Sequence, residues 1–396
     1  MTRRLWIMLV CGVLVVLIGN GLRLTFGVFL RPVSLELGIG RETFGLVIAV
    51  QALLYGAFQP IAGMLADRYG AVRVISIGAL IYAAGLWLTS VAASAFDLYI
   101  SLGLFVGLGL SCATNVIVLG AIGKLVPNER RGIVFGTVIA SGSLGMFFFV
   151  PGAQHLLDLA GWRSTLVAMA LMMVVVPLFA LGLGEAPASA GGGAQQSVKD
   201  AALEAIRHRS YLLLTTGFFV CGFHVTFIGT HFPAYLSDNQ VSPAAASYAF
   251  GVIGLFNILG AYLFGALSDR YSKKSVLTLI YLLRAALMTV MLLTPLTDIS
   301  AIVFGACMGL IWLSTVPLTS GIVAQVFGPA HFSFLFGIVF MSHQLGGFTG
   351  AWLGGRIYDA TGSYDLMWII SIALGLISAA FHWPINDRPL ARVQAA

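Results

Sequence analysis

The strongest constraint on this chain is that part of it occurs twice. Gly63-Met64-Leu65-Ala66-Asp67-Arg68-Tyr69-Gly70-Ala71-Val72-Arg73 returns 202 residues later as Gly265-Ala266-Leu267-Ser268-Asp269-Arg270-Tyr271-Ser272-Lys273-Lys274. A second echo, 201 residues apart, pairs the stretch Phe135 to Gly145 with Phe336 to Gly346, and Asp158 and Asp359 continue that register. Two echoes in one order at nearly one spacing describe a chain made of two copies of one unit.

The unit is written for lipid. Hydrophobic residues make up 59% of the 396 and charged ones only 9%, against about 25% charged in a soluble domain. Apolar runs of about 20 residues, the length that crosses a bilayer as helix, occur twelve times, six per copy. Open sheets are excluded because their edges would leave backbone groups unpaired in hydrocarbon. The predicted fold is an all-α membrane protein of twelve transmembrane helices in two pseudo-symmetric six-helix bundles. The first bundle covers residues 1–184, a cytoplasmic linker 185–208, and the second bundle 209–396.

Helices 1 to 6 are predicted at about Leu5–Leu30, Thr43–Ala66, Val74–Val91, Asp97–Ile122, Gly132–Gln154 and Ser164–Leu183. Helices 7 to 12 follow at about Ser210–Tyr235, Ala244–Leu267, Ser275–Leu293, Ser300–Val326, Phe332–Gly354 and Asp365–Trp383. Asp97 and Asp298 stand where N-caps are expected. In the linker, Ser197 to Arg207 can form a short surface helix. No loop is long enough for a separate soluble domain.

The net charge of +6 reflects topology rather than a nucleic-acid partner. With the repeated loops placed in the cytoplasm, fifteen Lys/Arg fall on that side and only Arg31, Arg41, Arg163 and Arg356 on the other. This asymmetry places both termini in the cytoplasm. Cys11, Cys112, Cys221 and Cys307 lie inside apolar runs without metal-ligand or CxxC spacing, so they read as small core residues. The opening Met1-Thr2-Arg3-Arg4 imitates a signal peptide, but the apolar run is too long for an h-region and reads as a retained first helix.

The repeated loop has a legible physical purpose. Gly63 and Gly265 let a neighbouring helix approach. Asp67 and Asp269 can receive the amino end or a basic residue of that neighbour, a latch that closes one side. Two six-helix halves with such a loop between helices 2 and 3 of each resemble the major facilitator superfamily, whose signature is G-x-x-x-D-R-x-G followed by basic residues. Gly63, Asp67, Arg68, Gly70 and Arg73 match it, and Gly265, Asp269, Arg270, Lys273 and Lys274 match it again with Ser272 for the second glycine. The resemblance implies a gating role for these residues and a central cavity lined by helices 1, 4, 7 and 10.

Gly21-Leu22-Arg23-Leu24-Thr25-Phe26-Gly27-Val28-Phe29 is similar to the G-x-R-x-x-F-G-x-F segment of the bacterial monocarboxylate and oxalate/formate branch. Arg130-Arg131, Gly136, Ala140 and Gly142 loosely follow its helix 5 signature. The Asp and Arg of helix 8 in the animal monocarboxylate carriers align with Asn257 and Ala261, a departure from that branch.

All fifteen Asp/Glu can be placed in loops or at helix ends, whereas Arg23 in helix 1 and Arg284 in helix 9 cannot. An arginine at bilayer depth costs about 2.5–3.5 kcal/mol even on insertion scales, so it faces protein or water and marks a pathway. Without a deep carboxylate to neutralise them, the two cations point to an anionic ligand. Asn20, Arg23 and Gly27 share one helix face, and a guanidinium there can grip a carboxylate through two parallel hydrogen bonds. The competing reading has Arg23 tying helices together through backbone carbonyls. Arg284, on a peripheral helix, reads as a support near Asn257 or as a second contact.

Further candidates are Asn115 in helix 4, His224, Phe227 and His231 in helix 7, Trp312 and Thr315 in helix 10, and Phe340, His343 and Gln344 in helix 11. His343 and Gln344 replace Gly142 and Ser143 of the sister copy, so the halves have specialised. A histidine near its reference pKa of about 6.5 is the expected protonatable group. Helices 5 and 11 are glycine-rich, which fits either sliding pivots or close static packing.

The expected function is secondary transport of small organic anions, above all monocarboxylates, across a prokaryotic inner membrane by alternating access, as proton symport or as exchange. Arg23 would hold the carboxylate, Asn20 and Asn115 orient it, Phe227, Trp312 and Phe340 enclose its apolar part, and His231 and His343 gate or carry the proton. A monomer without cofactor or metal is expected, with membrane lipid and substrate as its partners. Competing readings are efflux of amphipathic compounds and a sensor that binds without transport. An enzyme is the weakest, because no metal cluster, nucleophile elbow or phosphate loop is written in the sequence.

Overall fold

The computed structural model describes residues 3–113, 115–123, 126, 128–184, 197–328 and 331–390. All regular structure among them is helical. Twelve crossing helices, α1–α12, follow the predicted order: Arg3–Leu37 (α1), Arg41–Tyr69 (α2), Ala71–Ser90 (α3), Ala95–Gly123 (α4), 128–160 (α5), 162–181 (α6), Arg209–Asp238 (α7), Pro243–Arg270 (α8), Lys273–Leu293 (α9), Asp298–Phe327 (α10), Phe332–Thr361 (α11) and Asp365–His382 (α12). α5 and α6 run together except at Gly161, whose φ of 76° supplies the bend. The linker helix forms over Val198–Arg207, with Ser197 accepting from the Asp200 N–H at 3.1 Å. The Ala/Gly/Ser-rich front of the linker lies outside the described residues.

The two helix starts at α4 and α10 are capped, but not by the aspartates. Ser94 and Thr297 are the N-caps, each in a reciprocal capping box, with Asp97 and Ser300 at the third helical position. Asp298 instead accepts from Ser242 N and Oγ at 3.1 and 2.9 Å and so holds the start of α8. A hydroxyl N-cap leaves the acidic side chain free for a second helix, which an aspartate N-cap could not do.

Among the described residues, three of the crossing helices are interrupted. α1 tightens at Leu24 and Thr25, between segments ending at Arg23 and starting at Phe26. α4 contains a π-helical stretch, Tyr99–Phe105, and breaks after Cys112. α10 breaks over residues 311–314. Breaks at the same depth of α4 and α10 follow from the repeat. In lipid each backbone group freed by a break needs a protein partner, and α10 shows how this is met. Arg284 of α9 donates from Nε and Nη2 to the Ile311 carbonyl at 3.2 and 2.8 Å, and from Nη2 to the Trp312 carbonyl. Asn257 Oδ1 of α8 accepts from the Leu313 N–H at 2.9 Å.

The halves meet along α2–α11, α5–α8 and α1–α7. At the end opposite the repeated loops they are joined by charge. Arg41 pairs with Asp238 through both guanidinium arms at 2.5 and 2.9 Å, and the Arg41 and Glu42 N–H groups donate to Asp359 at 3.0 and 2.8 Å. Trp352 Nε1 and Arg356 donate to Glu42 at 3.0 and 3.1 Å. A carboxylate at the amino end of α2 also matches the positive end of that helix. From there α2 and α11 stay in close contact through Gly45 against the Ala351 backbone and Gly56 against the Gln344 side chain.

Towards the repeated loops the contact ends. Past Gly56, Ala57, Phe58, Pro60, Ile61, Met64 and Leu65 of α2 are exposed. A Cβ built at Gly63, Gly265, Gly136 or Gly337 would meet nothing within 4 Å. In this conformation no described residue approaches either loop glycine closely. The Asp269 side chain lies outside the described residues; Arg68 and Arg270 are exposed.

Candidate functional site

Arg23 is the last residue before the break in α1, which leaves its guanidinium at a helix carboxyl end where a cation is favoured. Its Cζ lies 4.6 Å from the centre of the Tyr55 ring on α2. It makes no hydrogen bond or ion pair among the described residues, so all five donors remain available. The competing reading, in which Arg23 ties helices together through carbonyls, describes Arg284 instead. Tyr55 meets Phe340 of α11 edge-on with ring centres 6.3 Å apart. Arg23, Tyr55 and Phe340 thus form one chain of contacts from the first half to the second.

Phe340 in turn lies parallel to His343, with centres 5.6 Å apart and planes 4° from parallel. His343 Nδ1 pairs with Gln344 Oε1 at 3.0 Å, and Gln344 Nε2 donates to the Ala52 carbonyl of α2 at 2.9 Å. His343 Nε2 is buried without a partner. The large polar pair that replaces two small residues of the sister copy therefore stitches the halves together and leaves one ring nitrogen open.

Asn20 lies against Gly142 of α5, whose added Cβ would meet Asn20 Nδ2 at 3.2 Å. Across from it Asn257 donates to Ser143 Oγ at 2.8 Å, a hydrogen bond between α8 and α5. The Asn115 side chain lies outside the described residues.

The remaining sequence candidates gather elsewhere. His231 is fully buried, with Nδ1 paired to Tyr364 Oη at 3.0 Å and Nε2 to the Ala351 carbonyl at 2.7 Å. Phe227 packs between His231, Tyr364 and Trp368. His224 pairs through Nε2 with the Ser371 carbonyl of α12 at 2.8 Å. These three bind α7 to α11 and α12 inside the second half. Trp312 is buried against Phe250, at the α10 break. Arg284 is 0% exposed with Nη1 unpartnered, and Cys221 beside it lies 3.1 Å from Thr315 Oγ1. In this conformation none of these makes a hydrogen bond or ring contact with Arg23 or Tyr55.

Sequence reasoning missed Tyr55 and the ion-pair cluster at Arg41 and Glu42. Tyr55 was one aromatic among many on an apolar helix, and only the crossing of α1 over α2 singles it out. The cluster had a signal, because Arg41 and Arg356 stand on the sparsely basic side together with Glu42, Asp238 and Asp359. Arg163 is neutralised there too, by Glu36 at 2.9 Å.

Two pseudo-symmetric six-helix bundles that meet at one end and part at the other, with the Arg23 guanidinium between helices, form the architecture of a multipass membrane transporter. The sequence matches the family model described as Major Facilitator Superfamily over residues 9–317 and again over 218–396. The chain belongs to that superfamily, and it is a secondary active transporter of small solutes rather than an enzyme. It is 25% identical to the uncharacterized MFS-type transporter YcxA of Bacillus subtilis (strain 168), over 94% of this chain and 93% of that one. It is also 25% identical to monocarboxylate transporter 13 of Bos taurus, over 89% and 82%. Among solved structures the nucleoside transporter NupG superposes with a TM-score of 0.77 at 16% identity, covering 95% of this chain and 98% of that one. A D-xylose–proton symporter superposes at 0.73 and 15%, covering 97% and 99%.

Proposed function

We propose that the protein carries small organic anions, monocarboxylates above all, through the space between its halves. The observation that carries this reading is Arg23, a guanidinium half-buried between two helices with no anion or carbonyl among the described residues to receive its donors. A carboxylate supplies what is missing, two oxygens matched to the fork of the guanidinium. Tyr55 holds the cation from behind, and Asn20 and Asn115 orient the ligand. Phe340 bounds its apolar part. His343, with one ring nitrogen open, is the group that would take up a proton if transport is symport; exchange of one anion for another needs no such step. His224, Phe227, His231, Trp312, Arg284 and Gln344 support the site through the second half. The name of monocarboxylate transporter 13 is in keeping with this substrate class.

The cycle follows from the two ends of the molecule. The charge cluster at Arg41 and Glu42 holds one side shut, leaving the side of the repeated loops open, which the charge asymmetry makes the cytoplasmic side of the inner membrane. Rocking of the halves around the site would break that cluster and bring the loops of Asp67 and Asp269 together.

The test is uptake into reconstituted vesicles of labelled lactate, pyruvate, oxalate, formate and a lipophilic cation, with wild type beside Arg23→Ala and Arg23→Lys, with and without an inward proton gradient. Carboxylate uptake lost in Arg23→Ala and reduced at least tenfold in Arg23→Lys is the expected result, since lysine keeps the charge without the fork. Normal carboxylate transport by Arg23→Ala sinks the reading, and uptake of the cation alone replaces it with efflux of amphipathic compounds.

A further inference from the structure

We infer that the preferred substrate is an aromatic carboxylate, a planar ring bearing one carboxyl group, rather than a small aliphatic acid. The inference rests on the anion-transport reading above and adds to it the chemistry of the wall next to Arg23.

That wall is made of rings in register. Phe332, Phe336 and Phe340 recur every fourth residue on α11, so they share one face of the helix. Phe332 and Phe336 lie parallel, with centres 5.7 Å apart and planes 3° from parallel, and Phe340 lies parallel to His343. Phe336 and Phe340 lie 6.4 Å apart. All three phenylalanines are only partly buried, although the helix could have enclosed them as it encloses Leu335 and Val339 at 1% and 0% exposure. The row runs from the open, loop-side end of α11 up to Tyr55, and Tyr55 carries the unpaired guanidinium. A ligand moving along this row meets ring surfaces first and a carboxylate receptor last.

Partly open rings discriminate in favour of a ring. Offset-stacked and edge-on aromatic pairs gain more than their buried area alone provides, whereas a saturated ring of the same size has no quadrupole to match. A carboxylate on Arg23 with its ring lodged against Phe340, at the end of the open row, uses both features at once. A short acid such as lactate would occupy the guanidinium and leave the ring surfaces to water.

Benzoate and cyclohexanecarboxylate separate the two cases, since they share the carboxylate and the size and differ in the π system. Their dissociation constants, with that of lactate, would be measured calorimetrically on the purified full-length protein in detergent at neutral pH, where membrane leakage of weak acids plays no part. The expected result is benzoate binding about tenfold tighter than cyclohexanecarboxylate, with Phe340→Leu bringing the ratio close to one and Phe340→Tyr preserving it. The pair of variants guards against a folding defect, because both keep a bulky side chain at the position. Equal affinities in the wild type, or a ratio that Phe340→Leu leaves unmoved, overturns the inference. Lactate binding that needs Arg23 but shows no benzoate preference overturns it alone and leaves the anion reading standing. If no acid binds, or Arg23→Ala binds all three as the wild type does, both fall.

Discussion

Asn257 and Ser143 join the two halves of the molecule through a hydrogen bond of 2.8 Å, and the same asparagine accepts the Leu313 N–H at the break in α10. One side chain therefore serves the interface between halves and the backbone of a broken helix. Removing the two bonds separately has different consequences.

Ser143→Ala deletes only the inter-half bond, while Asn257→Leu also leaves the Leu313 N–H unsatisfied in an apolar setting. The expected losses of stability are about 1 kcal/mol for the first and about 2–4 kcal/mol for the second. Thermal unfolding of the purified protein in detergent would order them. Equal Tm values for the two variants would mean that the α10 break finds another partner.

Arg284 and Arg23 should separate cleanly. Arg284→Gln cannot reach both the Ile311 and Trp312 carbonyls, and removing a buried group that satisfies two acceptors costs about 2–5 kcal/mol. Arg23→Ala breaks no hydrogen bond among the described residues and should shift stability by less than about 0.5 kcal/mol while abolishing anion uptake. Measuring Tm and uptake on both variants checks the division; a large Tm loss in Arg23→Ala would make that arginine structural.

The charge cluster at the closed end sets the resting conformation. Asp359→Asn removes the anion at the amino end of α2, and Arg41→Ala removes the pair with Asp238. If each change takes about 1–1.5 kcal/mol from the closed arrangement, the population open on that side rises roughly tenfold. Spin labels at Leu35 and Ile299, both strongly exposed at that end of opposite halves, would report a longer-distance population by pulsed dipolar spectroscopy. An unchanged distance distribution would show that helix packing, not the cluster, keeps this end shut.

Glycines on the two sides of the molecule should respond in opposite ways. A Cβ at Gly346 or Gly350 would run into the backbone of α7 at Phe219 and Phe223, so Gly346→Ala should lower stability by about 1–3 kcal/mol. Gly63→Ala meets open space here and gains helix propensity, a stabilisation of about 0.5–1 kcal/mol. Uptake by Gly63→Ala should nevertheless slow, because the opposite conformation must bring the loop ends together. Unimpaired uptake would mean that the loops never close at Gly63.

The sequence by itself determined the class of fold and its symmetry. A repeat spacing, twelve apolar runs and a low charge content leave helix bundles in lipid as the way to satisfy every backbone group, and the predicted helices fall within three residues of those observed except at α1, α5 and α11, which run four to seven residues further. It also singled out Arg23 and Arg284, because a membrane cation without a nearby carboxylate is visible in one dimension. It read Arg23 as the ligand group and Arg284 as a support or second contact, but could not say what either guanidinium meets. The fold gives Arg284 the carbonyls freed at 311–314 and gives Arg23 only a ring to lie on, and that difference depends on where α10 breaks. At the repeat spacing of 202, Tyr82 stands where Arg284 does, so the symmetry of the sequence was no guide to it. Tyr55, Asn257 and the cluster at Arg41 gained their meaning only when helices distant in sequence crossed. Helix formation is local and periodic, whereas the pairing of polar groups between helices is settled by which faces pack, and lipid penalises every such group that packing leaves alone.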